Sequence, residues 1–316
     1  MRILVTGVAG FVGSHLAEQL VHAGHEVVGI DCFTDYYARS IKERNLADVL
    51  RAPGFEFREL DARADSLEAA FEGIDVVINE AAMAGLMRSW SDLDSYVSCN
   101  ILALERLIDA ARVANVRRFV HISTSSVYGT DAVGDEDAPM HPVSPYGVTK
   151  LAAEKLLLAH VAVHGFPAAI LRYFSIYGPR QRPDMAYHIF TEALMDGSPV
   201  TVYGDGLQSR SNTFVDDAVA ATIAAMEGAR IGHVYNIGGG EEIALLDAIQ
   251  IIADELGVQP RIRHEEARPG DQRRTWADTR RAKEAFGYVP RVPPREGLAA
   301  QVRWQAGLRS ATGSGA

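Results

Sequence analysis

Cysteine is nearly absent from this 316-residue chain: Cys32 and Cys99 are the only two. Two thiols make no disulfide framework, and no His or Cys pair has the spacing of a zinc site, so a metal centre is not expected. The default compartment is a reduced cytoplasm. No apolar run is long enough to span a bilayer. The N-terminus enters an apolar stretch at once, which fits no signal peptide. Basic residues are outnumbered, 31 against 41 acidic, for a net charge of −10. That balance disfavours a general nucleic-acid role. There is no internal repeat and no low-complexity linker. What remains, 47% hydrophobic and 23% charged, is ordinary for a folded globular protein of one large α/β unit or two interleaved lobes.

The informative stretch is Arg2 to Asp31, RILVTGVAGFVGSHLAEQLVHAGHEVVGID. Ile3 to Val5 reads as a buried parallel strand. Gly7, Gly10 and Gly13 follow as G-x-x-G-x-x-G. Leu16, Ala17, Leu20 and Val21 then recur at helical spacing, and Gly24 ends that helix. Val27 to Ile30 is a second apolar run ending in Asp31. Glycines there permit a tight turn and close approach of backbone N–H groups to a pyrophosphate, and the helix points its positive end at the same anion. An acid at position 31 accepts hydrogen bonds from a ribose diol and repels a 2′-phosphate, which favours NAD over NADP.

Strand and helix signals then alternate. Strands are expected at Phe55–Leu60, Ile74–Ile78, Phe119–Ile122 and Ala168–Arg172, with long helices at Leu93–Ala114 and Tyr146–His164. This pattern predicts a doubly wound parallel Rossmann sheet, whose ligands lie at the carboxyl ends of the strands. Asp31, Asp61, Ala81 and Thr124 all follow strand ends and should converge on one crevice. Asp61 suits either an adenine edge or a plain turn. Ala81, Ala82 and Ala84 suit either a close-lying cofactor or simple packing. Beyond Arg172 proline and glycine rise. Residues 1–172, with 214–237 returning to the sheet, are assigned to the nucleotide-binding part. Residues 173–213 and 238–309 form a smaller, partly interleaved substrate lobe, and 310–316 a disordered tail.

Tyr146 and Lys150 form Y-x-x-x-K. Four residues apart on a helix they share a face, and an ammonium beside a phenol lowers its pKa toward that of a general base. Thr124, in the run Ser123-Thr124-Ser125-Ser126, is placed to share the substrate proton.

The motifs TGVAGFVG, STSSVYG, SPYGVTK, YGP, YGDG and RPGD resemble those of the extended short-chain dehydrogenase/reductase family, specifically its nucleotide-sugar epimerases and dehydratases, over about residues 1 to 305. The resemblance implies tightly bound NAD and a catalytic set of Thr124, Tyr146 and Lys150. It implies cofactor contacts from Gly7, Gly10, Phe11, Val12, Gly13, Asp31, Asp61, Ala62, Ala81, Ala82, Asn100 and Tyr173, as well as Tyr146 and Lys150. On the substrate side it implies Ala84, Ser125, Ser126, Ser175, Arg182, Tyr203, Arg210, Arg268 and Asp271. A homodimer through a four-helix bundle of the two long helices is also implied, with no membrane or nucleic-acid partner. The expected reaction is oxidation at C4 of a UDP-sugar with Tyr146 as base, turnover of the 4-keto sugar, and return of the hydride to its other face.

Dehydratases of this family carry Asp-Glu after the catalytic threonine, and decarboxylases a glutamate two places on; here Ser125 and Ser126 stand there. The pattern is most similar to UDP-glucuronate 4-epimerases, in which Ser175 and Arg182 would help hold a sugar carboxylate, although Arg182 reads equally as a solvated loop charge. AAMAGLMRSW departs from that pattern and suits a neutral hexose, making UDP-glucose/galactose 4-epimerase the alternative. A keto-sugar reductase, or a relative that only binds, are further readings; the intact Y-x-x-x-K weighs against the second.

Overall fold

The computed structural model describes residues 1–267 and 272–313. Its centre is a seven-stranded, wholly parallel sheet. In chain order the first strands are β1 (Arg2–Thr6), β2 (Glu26–Asp31), β3 (Phe55–Glu59), β4 (Val76–Asn79) and β5 (Arg118–Thr124). Across the sheet the order runs Val234–Ile237, Ala168–Tyr173, β5, β4, β1, β2, β3. Register pairs Thr6 with Asn79 and Thr124 with Tyr173, so the carboxyl ends of the central strands finish level. The order reverses at β1, leaving a crevice between β1 and β4.

Both faces are covered, which is why the inner strands read as mostly apolar runs, while the edge strand β3 alternates. On one face α1 (Phe11–His22) and the helix Val215–Gly228 seal Ile3, Val5, Ile78, Val120 and Leu171. On the other, Leu4, Val77, Phe119 and Ile170 meet Leu104, Leu107, Ala153 and Leu157. Those last four come from α4 (Ala103–Val113) and α5 (Pro145–His164). Between β2 and β3 lies α2 (Arg39–Leu46).

The helix expected over Leu93–Ala114 is not uniform. It is α3 (Leu93–Val97), a π-helical turn Ser98–Leu102, then α4. One wide turn of this kind re-aims a side chain, here Asn100, inward. Helix α5 has well-defined ends. Ser144 Oγ accepts from Gly147 N at 3.1 Å, Pro145 occupies the first turn, and Gly165 closes it with φ of 64°. That start puts Tyr146 in the first turn and Lys150 one turn further in.

A second sheet draws strands from both halves of the chain. A four-stranded sheet runs Ile243–Ala244, Ser209–Arg210, Arg274–Ala277, Asp131–Gly134. Its last strand, from within residues 1–172, pairs with one from the C-terminal part. The final helix runs Pro294–Gly313, so residues 310–313 are helical where the sequence predicts tail.

Candidate functional site

The strand ends open into one cavity of about 920 Å³, at the upper end of ordinary ligand sites. Gly7, Gly10, Phe11, Val12, Gly13, Asp31, Asp61, Ala62, Ala81, Ala82 and Tyr173 line it, with Thr124, Tyr146 and Lys150. So do Ala84, Ser125, Ser126, Ser175, Arg182 and Arg210. Tyr203 ends the strand Val200–Tyr203 and is not among the lining residues. Asn100 is not either: it is buried behind the wall, accepting from Met83 N at 2.9 Å and donating to Met83 O at 3.0 Å and Thr149 Oγ1 at 3.1 Å. It ties the segment after β4 to α5. Arg268 and Asp271 lie outside the described residues.

At one end the glycines make a cradle. Gly7 has φ of 68°, and a Cβ on it would lie 2.8 Å from Ala81 Cα. A Cβ on Gly13 would lie 2.3 Å from Gly7 O. Gly10 caps α1 with no side-chain bond, so the N–H groups of the first turn stay available to an anion. Asp31 accepts from Ala9 N at 3.1 Å and Phe33 N at 2.7 Å, bracing the turn from below. Burial pushes its carboxyl above the usual range, with Lys42 and those N–H groups opposing. Asp61 is held by Arg63 at 2.7 Å, whose guanidinium keeps it below the usual range. A turn that no side chain could share, an open helix N-terminus and an acid at the second strand's end together fit a dinucleotide. Among the described residues no cluster could hold a metal ion.

At the other end stand the groups for chemistry. Thr124 ends β5, and its Oγ1 accepts from Ser126 N at 3.2 Å, turning the chain so that Ser125 and Ser126 face the cavity. Tyr96 donates to the carbonyls of Ala84 and Gly85 at 2.6 and 2.8 Å and meets the Tyr146 ring edge-on at 6.1 Å. The expected lowering of the Tyr146 pKa by Lys150 is not what the structure has. Burial pushes the phenol up, opposed by a hydrogen bond with Thr124 and by the Arg182 charge. Lys150 Nζ instead donates to Ile122 O at 2.6 Å. Burial pushes that ammonium down to about 8, against the pull of Glu80 and Glu154.

Arg182 is no solvated loop charge. Its Nε and Nη2 donate to Asp184 at 2.9 and 2.8 Å, its guanidinium lies 5.1 Å from the Tyr36 ring centre, and Tyr36 donates to the same Asp184. Ser175 sits at φ of 36°, a conformation rare outside glycine and concentrated at functional sites. Arg210 donates to Ser209 O at 3.0 Å and to Gln272 O. Sequence reasoning passed over Tyr36, Tyr37, Lys42, Glu80, Tyr96, Asp184 and Gln272. Only the Asp-Tyr-Tyr run, following an acid-ended strand, carried a local signal for any of them.

The comparisons agree with this geometry. The family model "NAD dependent epimerase/dehydratase family" matches residues 3–238. An "uncharacterized UDP-glucose epimerase" of Bacillus subtilis is 39% identical, over 98% of this chain and 99% of its own. A dTDP-glucose 4,6-dehydratase of Streptomyces griseus is 36% identical, over 98% and 95%. The crystal structure of a UDP-glucuronic acid 4-epimerase from Bacillus cereus with UDP-glucuronic acid and NAD superposes with a TM-score of 0.94 at 39% identity, covering 98% of this chain and 100% of that one. With a glycine cradle built for a dinucleotide, a Thr–Tyr–Lys set beside it and near full-length likeness to these enzymes, the chain belongs to the NAD-dependent epimerase/dehydratase family.

Proposed function

We propose that this enzyme inverts C4 of UDP-glucuronate through a 4-keto intermediate, giving UDP-galacturonate. The three relatives carry three activities, so the choice rests on the site. The observation that carries it is the ring of donors facing Tyr146: Ser125, Ser126, Ser175 and Arg182 line one cavity with Thr124 and Tyr146. No acid stands at 125 or 126 to protonate a leaving hydroxyl or abstract at C5.

The work divides among the residues as follows. Arg210 anchors the diphosphate, binding energy spent away from the reacting carbon. Tyr146 Oη takes the proton of the 4-hydroxyl, with Thr124 Oγ1 in the same hydrogen bond; with cofactor and sugar bound, the Lys150 ammonium, which this structure keeps on the Ile122 carbonyl, favours the phenolate. NAD, when bound, supplies the hydride acceptor and donor, and adds positive charge that favours ionised Tyr146. It is held by the cradle from Gly7 to Gly13, by Asp31 and by the alanines after β4. Arg182 has five N–H donors, and Asp184 uses two, so a carboxylate can be held without breaking that pair. A 4-keto uronate is a β-keto acid and tends to lose carbon dioxide. Arg182 and the serines hold its carboxylate in place and solvated by fixed donors, out of line with the carbonyl π-system. Tyr146 then returns the proton after the sugar has turned.

The test is incubation with UDP-glucuronate in D₂O, read by NMR. The C4 epimer without deuterium at C5, and without loss of water or carbon dioxide, is expected. A pentose, deuterium at C5, or turnover of UDP-glucose with none of the uronate would refute the reading, the last in favour of UDP-glucose 4-epimerisation.

We also propose a homodimer. Leu93 and Leu102 along the α3–α4 run, and Val148 and Val163 on α5, are half or more exposed, an apolar surface that pairing two copies would cover. Light scattering at micromolar concentration should give twice the chain mass; a monomer would refute it. No helix among the described residues is long and apolar enough to cross a membrane, and both cysteines are free. A reduced cytoplasm suits those thiols.

A further inference from the structure

One ionisable group on the cavity wall has no task in this mechanism. Glu80 follows directly on β4 and lines the cavity with Tyr146, Lys150 and Tyr173. It borders the cavity, but its Oε2 is sealed from solvent and has no hydrogen-bond partner. A carboxylate oxygen left so is expensive, and native proteins keep few of them away from functional sites. We propose that Glu80 is a positioning residue of this reaction, a second proton site that sets the charge of the Tyr146–Lys150 pair from the end of β4. The inference rests on the reading of Tyr146 as the base.

The surrounding charges give the argument its sign. From α5 come Tyr146, Lys150 and Glu154, the last paired with Arg172 at 2.7 Å and bonded by Ser123. From β5 comes His121, whose Nδ1 meets Asn79 Nδ2 at 3.0 Å and which burial keeps neutral. From the strand Ala168–Tyr173 come Arg172 and Tyr173. Across the cavity stand Arg182 with Asp184, and Tyr36. α1 brings only Phe11, Val12 and Gly13 to the wall. Arg172 and Glu154 offset each other, as do Arg182 and Asp184. Glu80 is left as the carboxyl with no cation bound to it. Burial pushes it up to about 8, and Lys150 pulls it back down.

An ionised Glu80 favours the Lys150 ammonium and disfavours the Tyr146 phenolate. Both groups therefore hold their protons to higher pH than they would beside an apolar neighbour. The active form needs Tyr146 ionised and Lys150 protonated, so Glu80 carries the whole window of activity upward in pH. It acts as a proton site of its own beside the pair.

The experiment is the pH dependence of kcat/KM for Glu80→Gln, with Glu80→Leu as a second variant. Both limbs should move to lower pH by about half a unit or more, less than the roughly one to three units of a fully ionised close neighbour because burial pushes Glu80 up to about 8. On the acid limb that is an activity about threefold higher relative to each enzyme's own maximum. Glu80→Asp should keep the wild-type limbs. A reading without turnover comes from ultraviolet titration of tyrosinate, taken as wild type minus Tyr146→Phe, with and without Glu80→Gln: the Tyr146 transition should move down with the acid limb. A uniform loss of activity with unmoved limbs, limbs moving apart, or failure of both neutral variants to fold would overturn the proposal. If Tyr146→Phe stays fully active, the base assignment falls instead. If that variant is inactive and the limbs are unmoved, only the role of Glu80 falls.

Discussion

Gly13→Ala is the sharpest probe of the cradle, because local and tertiary effects oppose each other. Gly13 lies inside α1 with ordinary helical backbone, so propensity alone favours alanine by about 1 kcal/mol. Yet the new Cβ would stand 2.3 Å from Gly7 O and 3.0 Å from Gly7 C and Val8 Cα, all of them backbone atoms. No rotamer change relieves that contact; the turn itself must retreat. Overpacking of this kind costs about 1–3 kcal/mol, so net stability falls by roughly 1 kcal/mol. The larger effect is on the ligand. A retreating turn misplaces N–H groups aimed at the pyrophosphate, and one lost bond to a charged group is worth about 1.5–3 kcal/mol, or roughly a ten- to hundredfold weaker hold on NAD. The assay is NAD content of the purified protein, alongside a thermal melt. Gly165→Ala is the matched control: φ there is 64°, but no atom lies within 4 Å of the new Cβ. It should lose about 1–2 kcal/mol through backbone strain and keep its NAD. If Gly13→Ala retains full NAD and stability, the cradle is not packed as described.

Tyr146→Phe should keep NAD while turnover falls by roughly a hundredfold or more, the scale of a lost general base; near-normal turnover would refute the assignment. Arg182→Gln should lower kcat/KM for UDP-glucuronate by about ten- to a hundredfold with little change for UDP-glucose, and should move the acid limb upward because Arg182 helps ionise Tyr146; equal losses on both sugars would count against a carboxylate contact. Burial and Arg180 hold His15 down to about 4, so the unfolded chain takes up this proton before the folded one does. Stability present above pH 6.5 should therefore drain away as pH falls toward 4, by up to about 3 kcal/mol, and denaturant melts of His15→Gln should show a shallower decline.

The fold was legible because the parallel sheet is covered on both faces: the middles of β1, β4 and β5 are mostly apolar, and each strand ends in a polar residue at the cavity side. The cradle was legible because glycine there is required by contacts, as at Gly7 and Gly13. Less visible were effects set by three-dimensional neighbours. The ammonium at Lys150 was expected to act on Tyr146, but in this structure α5 delivers its nitrogen to the Ile122 carbonyl of β5, a helix-to-strand contact. Asn100 was read as a cofactor contact; its bonds to Met83 and Thr149, made across the fold, left no mark in the sequence. Arg182 could not be told from a solvated charge, because its partner Tyr36 comes from the loop after β2, far away in sequence. The interleaving of Asp131–Gly134 with Arg274–Ala277 left no local mark, since four-residue strands lack the length to show a period.

The return of the chain to the sheet as Val234–Ile237 has a consequence for how the protein comes off the ribosome. Until that strand is made, Ala168–Tyr173 is the sheet's outer edge, and all six of its residues are buried in the finished molecule. A nascent chain that has completed five helices and the nucleotide cradle still presents an unpaired apolar edge, the template on which chains stick to one another. The whole stretch between Tyr173 and Val234 must emerge before that edge can be closed. Residues 1–172 made alone should therefore collect as insoluble material, and a soluble, NAD-binding fragment would show that the edge can be protected another way. The two halves of the chain thus share one folding event, and the natural place to cut this gene is nowhere between the cradle and the strand that seals the sheet.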